Sequence, residues 1–91
     1  MKKNRSFLSR LVYRICDAGQ SNNATFEYYR HKVNLQSGTE DYVDVSVDDG
    51  KVAFTFDFFT KELKIEKIEN KEQREEIVKT FKELYSYIKL L

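Results

Sequence analysis

Proline and tryptophan are missing from this chain, and only three glycines occur among its 91 residues. A glycine-rich loop able to cradle phosphate is therefore excluded, and each glycine that does occur is informative. A single cysteine, Cys16, excludes an internal disulfide and fits a reducing compartment, so a cytoplasmic location is expected. No run approaches the ~20 apolar residues of a membrane-spanning helix. The basic start, Met1-Lys2-Lys3-Asn4-Arg5, resembles the opening of a signal peptide, but Arg10 and Arg14 interrupt the apolar stretch that should follow. The absence of acids before Asp17 resembles a mitochondrial presequence, yet the segment serves the fold better. The low Gly, Pro and Trp content beside abundant Lys, Asn, Glu, Ile and Tyr is typical of an AT-rich genome.

Aromatic residues, by contrast, are plentiful: seven Phe and six Tyr, in a chain 41% hydrophobic and 34% charged. Disordered chains are poorer in aromatics, and this length fits one domain, residues 1–91, able to build a modest core without metal or disulfide. The net charge of +1 conceals an asymmetry. Residues 1–34 carry seven Lys/Arg against two acids, whereas residues 35–62 carry two against seven. Such a dipole keeps a small protein soluble, or lets one pole dock a charged partner.

Phe7, Leu8, Leu11, Val12, Ile15 and Cys16 recur at helical spacing, with Lys3, Arg10 and Arg14 opposite. Ser6 or Asn4 suits the N-cap, Gly19 the C-terminal end, and residues 20–23 a polar loop. Further on, Val43, Val45 and Val47 alternate with polar residues, as do Val52, Phe54, Phe56 and Phe58, and Asp49-Gly50 between them is a strong hairpin signal. A turn there pairs Asp48 with Lys51, Val47 with Val52, Val45 with Phe54 and Val43 with Phe56. A second turn at Thr60-Lys61 pairs Phe58 with Leu63 and Phe56 with Ile65. In residues 25–35 Phe26, Tyr29 and Val33 would also suit a helix, but Thr, Phe, Tyr and Val favour one more strand. A loop at Ser37-Gly38-Thr39 pairs Val33 with Val43, His31 with Val45, Tyr29 with Val47 and Lys32 with Asp44.

From Asn70, an apt N-cap, the period is helical: Ile77, Phe81, Leu84, Ile88 and Leu91 form the inward stripe, widened by Val78 and Tyr85. Glu75 and Lys79 are spaced for mutual support, while Thr80 and Tyr87 point elsewhere. The expected fold is α+β: a four-stranded antiparallel meander with the N- and C-terminal helices packed on one face. The other face, with Asp44, Ser46, Asp48, Lys51, Thr55, Asp57, Glu62, Lys64 and Glu66, meets water.

No catalytic constellation emerges. Cys16 continues an apolar stripe and His31 falls on the core face, with no third group to orient a thiol–imidazole pair, so no enzyme is expected. Asp41, Asp44, Asp48 and Asp49 lack the spacing of a calcium loop, and Asp44 lies about 13 Å from Asp48 along a strand. Neither metal nor cofactor is expected. Tyr42 and Phe59 lie on the wet face beside the acids, and aromatics bordered by charge make good interface anchors. Glu62 to Lys67 is charged enough to guard its sheet edge, whereas the first strand is less guarded and suits a homodimer or a structural self-association.

The order helix, antiparallel strands, helix resembles that of double-stranded-RNA-binding domains. The second helix, however, opens Asn70-Lys71-Glu72-Gln73-Arg74-Glu75-Glu76, where those domains place a lysine-rich cluster. A nucleic-acid or anionic-membrane contact would instead fall on the first helix, through Lys2, Lys3, Arg5, Arg10 and Arg14. In size, Lys/Asn-rich composition and layout the whole chain is similar to small phage or mobile-element proteins that block host defence, including some anti-CRISPR proteins. That similarity implies a stoichiometric inhibitor, a protein-binding module. Its acidic hairpin (Glu40, Asp41, Tyr42, Asp44, Asp48 and Asp49, with Asp57 and Phe59 alongside) would occupy a basic, nucleic-acid-binding surface on a nuclease.

Overall fold

Alternation of Val and Phe with polar residues builds the centre of the molecule. In the computed structural model, which describes residues 6–18, 24–37, 42–48 and 50–91, β3 (Tyr42–Val47) and β4 (Val52–Asp57) pair antiparallel. Val43/Phe56, Val45/Phe54 and Val47/Val52 oppose each other as expected. The ladder closes at Val47/Val52. Asp48 and Lys51 belong to the turn, where Asp48 and Gly50 have φ of 52° and 93° and the Lys51 N–H donates to the Val47 carbonyl.

The sheet has six strands in the order β1-β2-β3-β4-β5-β6, not four, and its last pairing is parallel. The α+β class and the two helices are as expected; the strand count and the purely antiparallel meander are corrected. The first correction concerns residues 25–35, which form a hairpin of β1 (Ala24–Tyr28) and β2 (His31–Ser37). Tyr29 and Arg30 both take positive φ, 51° and 69°, the geometry of a tight I′ turn. Neither is Gly, Asn or Asp, so the turn has no local sequence signal. Its support is tertiary: the Arg10 guanidinium lies 5.2 Å from the Tyr29 ring centre and donates to its hydroxyl at 2.9 Å.

With β2 extended to Ser37, the β2–β3 register slides by four residues: Val33 opposes Val47 and Leu35 opposes Val45. Lys32 therefore pairs with Glu27, and Gln36 takes the place opposite Asp44. The expected turn at Gly38-Thr39 lies outside the described residues, as do Asn4, Gly19 and residues 20–23. The less-guarded edge is thus β1 alone, and β2 is interior.

Between β4 and β5 (Glu62–Glu66) the register differs by two: Phe56 opposes Leu63 and Phe54 opposes Ile65. Asp57 is the cause. Its Oδ1 accepts the N–H groups of Phe59 and Thr60, each at 2.9 Å, and the Lys61 N–H donates to its carbonyl at 2.7 Å with Lys61 at φ 66°. This Asx-type loop is wider than the two-residue turn at Thr60-Lys61. Both slips are even-numbered, so the inward residues stay inward.

Helix α1 (Phe7–Ala18) is capped by Ser6, whose Oγ accepts the Ser9 N–H, and it buries Leu8, Leu11, Val12 and Ile15. Helix α2 (Lys71–Leu84) is capped by Asn70, whose Oδ1 accepts the Gln73 N–H at 3.0 Å. The inward stripe is confirmed at Ile77 and Phe81, but the helix stops before Ile88 and Leu91. Tyr85 is extended, its ring stacks 5.5 Å from Phe56, and its hydroxyl donates to Cys16 Sγ. The chain then turns to pair with β5 as β6 (Lys89–Leu90), with Lys89 and Leu91 N–H groups donating to the Lys61 and Leu63 carbonyls. Strand pairing of an otherwise open edge replaces the last helical turns, and β5 is not the edge expected of it.

Thr80, expected to point away, is buried beneath α1. Its hydroxyl donates to the Glu76 carbonyl and lies 3.0 Å from that of Ser9, while the Ser9 N–H and hydroxyl reach the Glu76 carboxylate. This polar seam joins the helices on one face of the sheet. Beneath them Phe56 stacks on Phe81 at 4.2 Å, and Phe54 meets Phe81 edge-on at 5.8 Å. No described helix is long and apolar enough to cross a membrane.

Candidate functional site

The face of the sheet turned away from the helices carries a groove of about 360 Å³ across β3, β4 and β5. Period 2 delivers its side chains: Tyr42 and Asp44 from β3, Thr55 and Asp57 from β4, Glu62, Lys64 and Glu66 from β5. Tyr42 opposes Asp57, and Asp44, Thr55 and Lys64 follow one another across the strands. Four side-chain carboxylates and the Lys64 ammonium group, together with Leu91, thus line the groove.

Asp44 is held firmly at the centre. Its carboxylate accepts the Tyr42 hydroxyl at 2.9 and 3.0 Å and the Thr55 hydroxyl at 2.5 Å. Donation to Asp44 raises the Tyr42 phenol above its ordinary range, since ionising it would set two negative charges together. At the rim, Asp57 uses one oxygen to shape the loop that displays Phe59, which is 79% exposed. Glu62 has the Lys89 ammonium at 3.9 Å. Among the described residues no group of three or more His, Cys, Asp or Glu is arranged to hold a metal ion. Such carboxylates are suited to guanidinium and ammonium groups.

Tyr42, Asp44 and Asp57 are therefore brought together in one groove, and Phe59 follows on the loop bonded to Asp57. Asp48 is not among them. It sits at the other end of the β3–β4 hairpin, where its carboxylate accepts the Lys32 N–H at 3.2 Å and is hydrogen-bonded to His31 Nδ1. The His31 contact is the main reason its carboxyl lies below the usual range. The His31 ring also packs 4.4 Å from that of Phe7, so it is half-buried rather than enclosed in the core. Glu40, Asp41 and Asp49 lie outside the described residues. Glu62, Lys64 and Glu66 were identifiable as wet-face residues by alternation, but nothing local marked them as neighbours of Asp44.

Of the alternative basic site, only Arg10 and Arg14 fall among the described residues. Lys2, Lys3 and Arg5 lie outside the described residues, Arg10 is engaged by Tyr29, and Arg14 is exposed on α1. Cys16 and His31 have separate partners, and burial pushes the Cys16 thiol up, away from the thiolate a nucleophile needs. No protein-family model, curated protein or solved structure matches the chain.

Proposed function

We propose that this chain is a non-enzymatic protein-binding module that docks the open, acidic end of its sheet onto a basic surface of another protein. One observation carries the reading: a groove of four carboxylates and one lysine lies on a sheet face that neither helix covers. Tyr42 and Thr55 fix the central carboxylate, which lowers the ordering cost of pairing it with an incoming cation. Phe59, on the loop that Asp57 shapes, offers an exposed apolar anchor. A basic surface of this kind is what nucleic-acid-binding enzymes present to phosphate. In this reading the partner is such an enzyme, a host nuclease, and the chain acts as its stoichiometric inhibitor, in the manner of small phage anti-defence proteins.

The test is affinity capture from the native host, followed by titration of the recovered partner with wild-type, Asp44→Lys/Glu66→Lys and Asp48→Lys chains. The first variant is expected to lose binding and wild-type binding to weaken with salt, while Asp48→Lys, at the far end, retains it if folded. Unchanged affinity of Asp44→Lys/Glu66→Lys, with an unaltered circular dichroism spectrum, would sink the reading.

A further inference from the structure

A second groove, of about 590 Å³, runs between α2 and the β5–β6 edge on the helix side of the sheet. Its chemistry is the reverse of the first. Lys71, Arg74, Lys79 and Lys82 line it, against the single acid Glu75. None of the four cations makes an ion pair or a side-chain hydrogen bond with any described residue, and Glu75 and Lys79 do not pair. The apolar part is wholly aliphatic: half-buried Ile65 and Val78, with Leu90 and Leu91 57% and 63% exposed.

We infer that this groove binds an acidic peptide segment bearing aliphatic side chains. The cations are spread along α2 from Lys71 to Lys82, about 16 Å of helix, so they match anions repeated along a ligand. A lipid carboxylate offers one charged end and would use only part of that row. Single-stranded nucleic acid has the repeated charge, but its bases favour aromatic platforms, and the apolar lining here has none. An extended segment alternating acidic and aliphatic side chains satisfies both features, one set meeting the ammonium and guanidinium groups and the other the leucines. The two grooves share Leu91, but their charged linings are distinct, so this assignment does not rest on the open-face reading.

Fluorescence anisotropy of the full chain with a labelled synthetic peptide alternating glutamate and leucine tests the assignment. Saturable binding is expected, weaker by about tenfold or more for Lys79→Glu/Lys82→Glu, for Leu90→Ser/Leu91→Ser, and for peptides alternating glutamate with serine or lysine with leucine. Asp44→Lys should bind as wild type does. All the altered side chains are at least partly exposed, and circular dichroism checks that each variant folds. The assignment is overturned if wild type fails to bind the glutamate–leucine peptide or Lys79→Glu/Lys82→Glu binds it equally. It is also overturned if phosphatidylglycerol vesicles or oligothymidylate bind and the peptide does not displace them, or if light scattering shows a dimer that Lys79→Glu/Lys82→Glu dissociates.

Discussion

The two ends of the β3–β4 hairpin carry aspartates that look alike in the sequence and do different work. At one end Asp44 is held by two hydroxyls, Tyr42 and Thr55, on the open face of the sheet. At the other, Asp48 occupies a left-handed turn position and binds His31 together with a backbone N–H of β2. One carboxylate is fixed on the open face, where we propose that a partner docks, and the other ties the turn to the neighbouring hairpin. Clustering of acids in sequence is therefore a poor guide to a surface. Strand direction separates residues four apart by about 13 Å, and backbone donors capture whichever carboxylate they meet first.

Removing the platform beneath both ends should have the largest effect. Phe56→Ala empties the position between Phe81, Tyr85 and Phe58 and should cost about 3–5 kcal/mol, read as a lower urea midpoint. Next comes the direct contrast. Asp48→Ala strips an acceptor from a backbone amide and places alanine at φ 52°, so its midpoint should fall further than that of Asp44→Ala. Equal midpoints would remove the distinction between the two ends.

The smallest effect is acidic. The folded Asp48 carboxyl lies below its unfolded value, so its contribution is present above the unfolded pKa, about 4. It is lost as pH falls through the lower folded value. Urea midpoints of wild type and Asp48→Asn should converge over that window and stay apart above it.

How far the sequence foretold this depends on the residue. Val43, Val45, Val47, Phe54, Phe56 and Leu63 were legible as one buried face, because period-2 alternation survives any even slip of register. The Asn70 cap and the inward Ile77 and Phe81 were legible for equally local reasons. The I′ turn at Tyr29-Arg30 was not, since its residues carry no turn preference and α1 supplies the support through Arg10. Nor was the loop after β4, where a single carboxylate, Asp57, outweighs the Thr60-Lys61 reading by capturing two N–H groups.

By itself, then, the sequence determined the inward face of the central strands, the inward Ile77 and Phe81, the start of α2 at Asn70, and that one sheet face stays polar. Tertiary structure alone decided the six-strand count, the β2 and β5 registers, the diversion of residues 89–90 from helix to strand, and the separation of Asp44 from Asp48. The division is physical. Hydrophobic periodicity is a local property, but unpaired backbone groups are satisfied by whatever strand, loop or side chain the folded chain brings within reach.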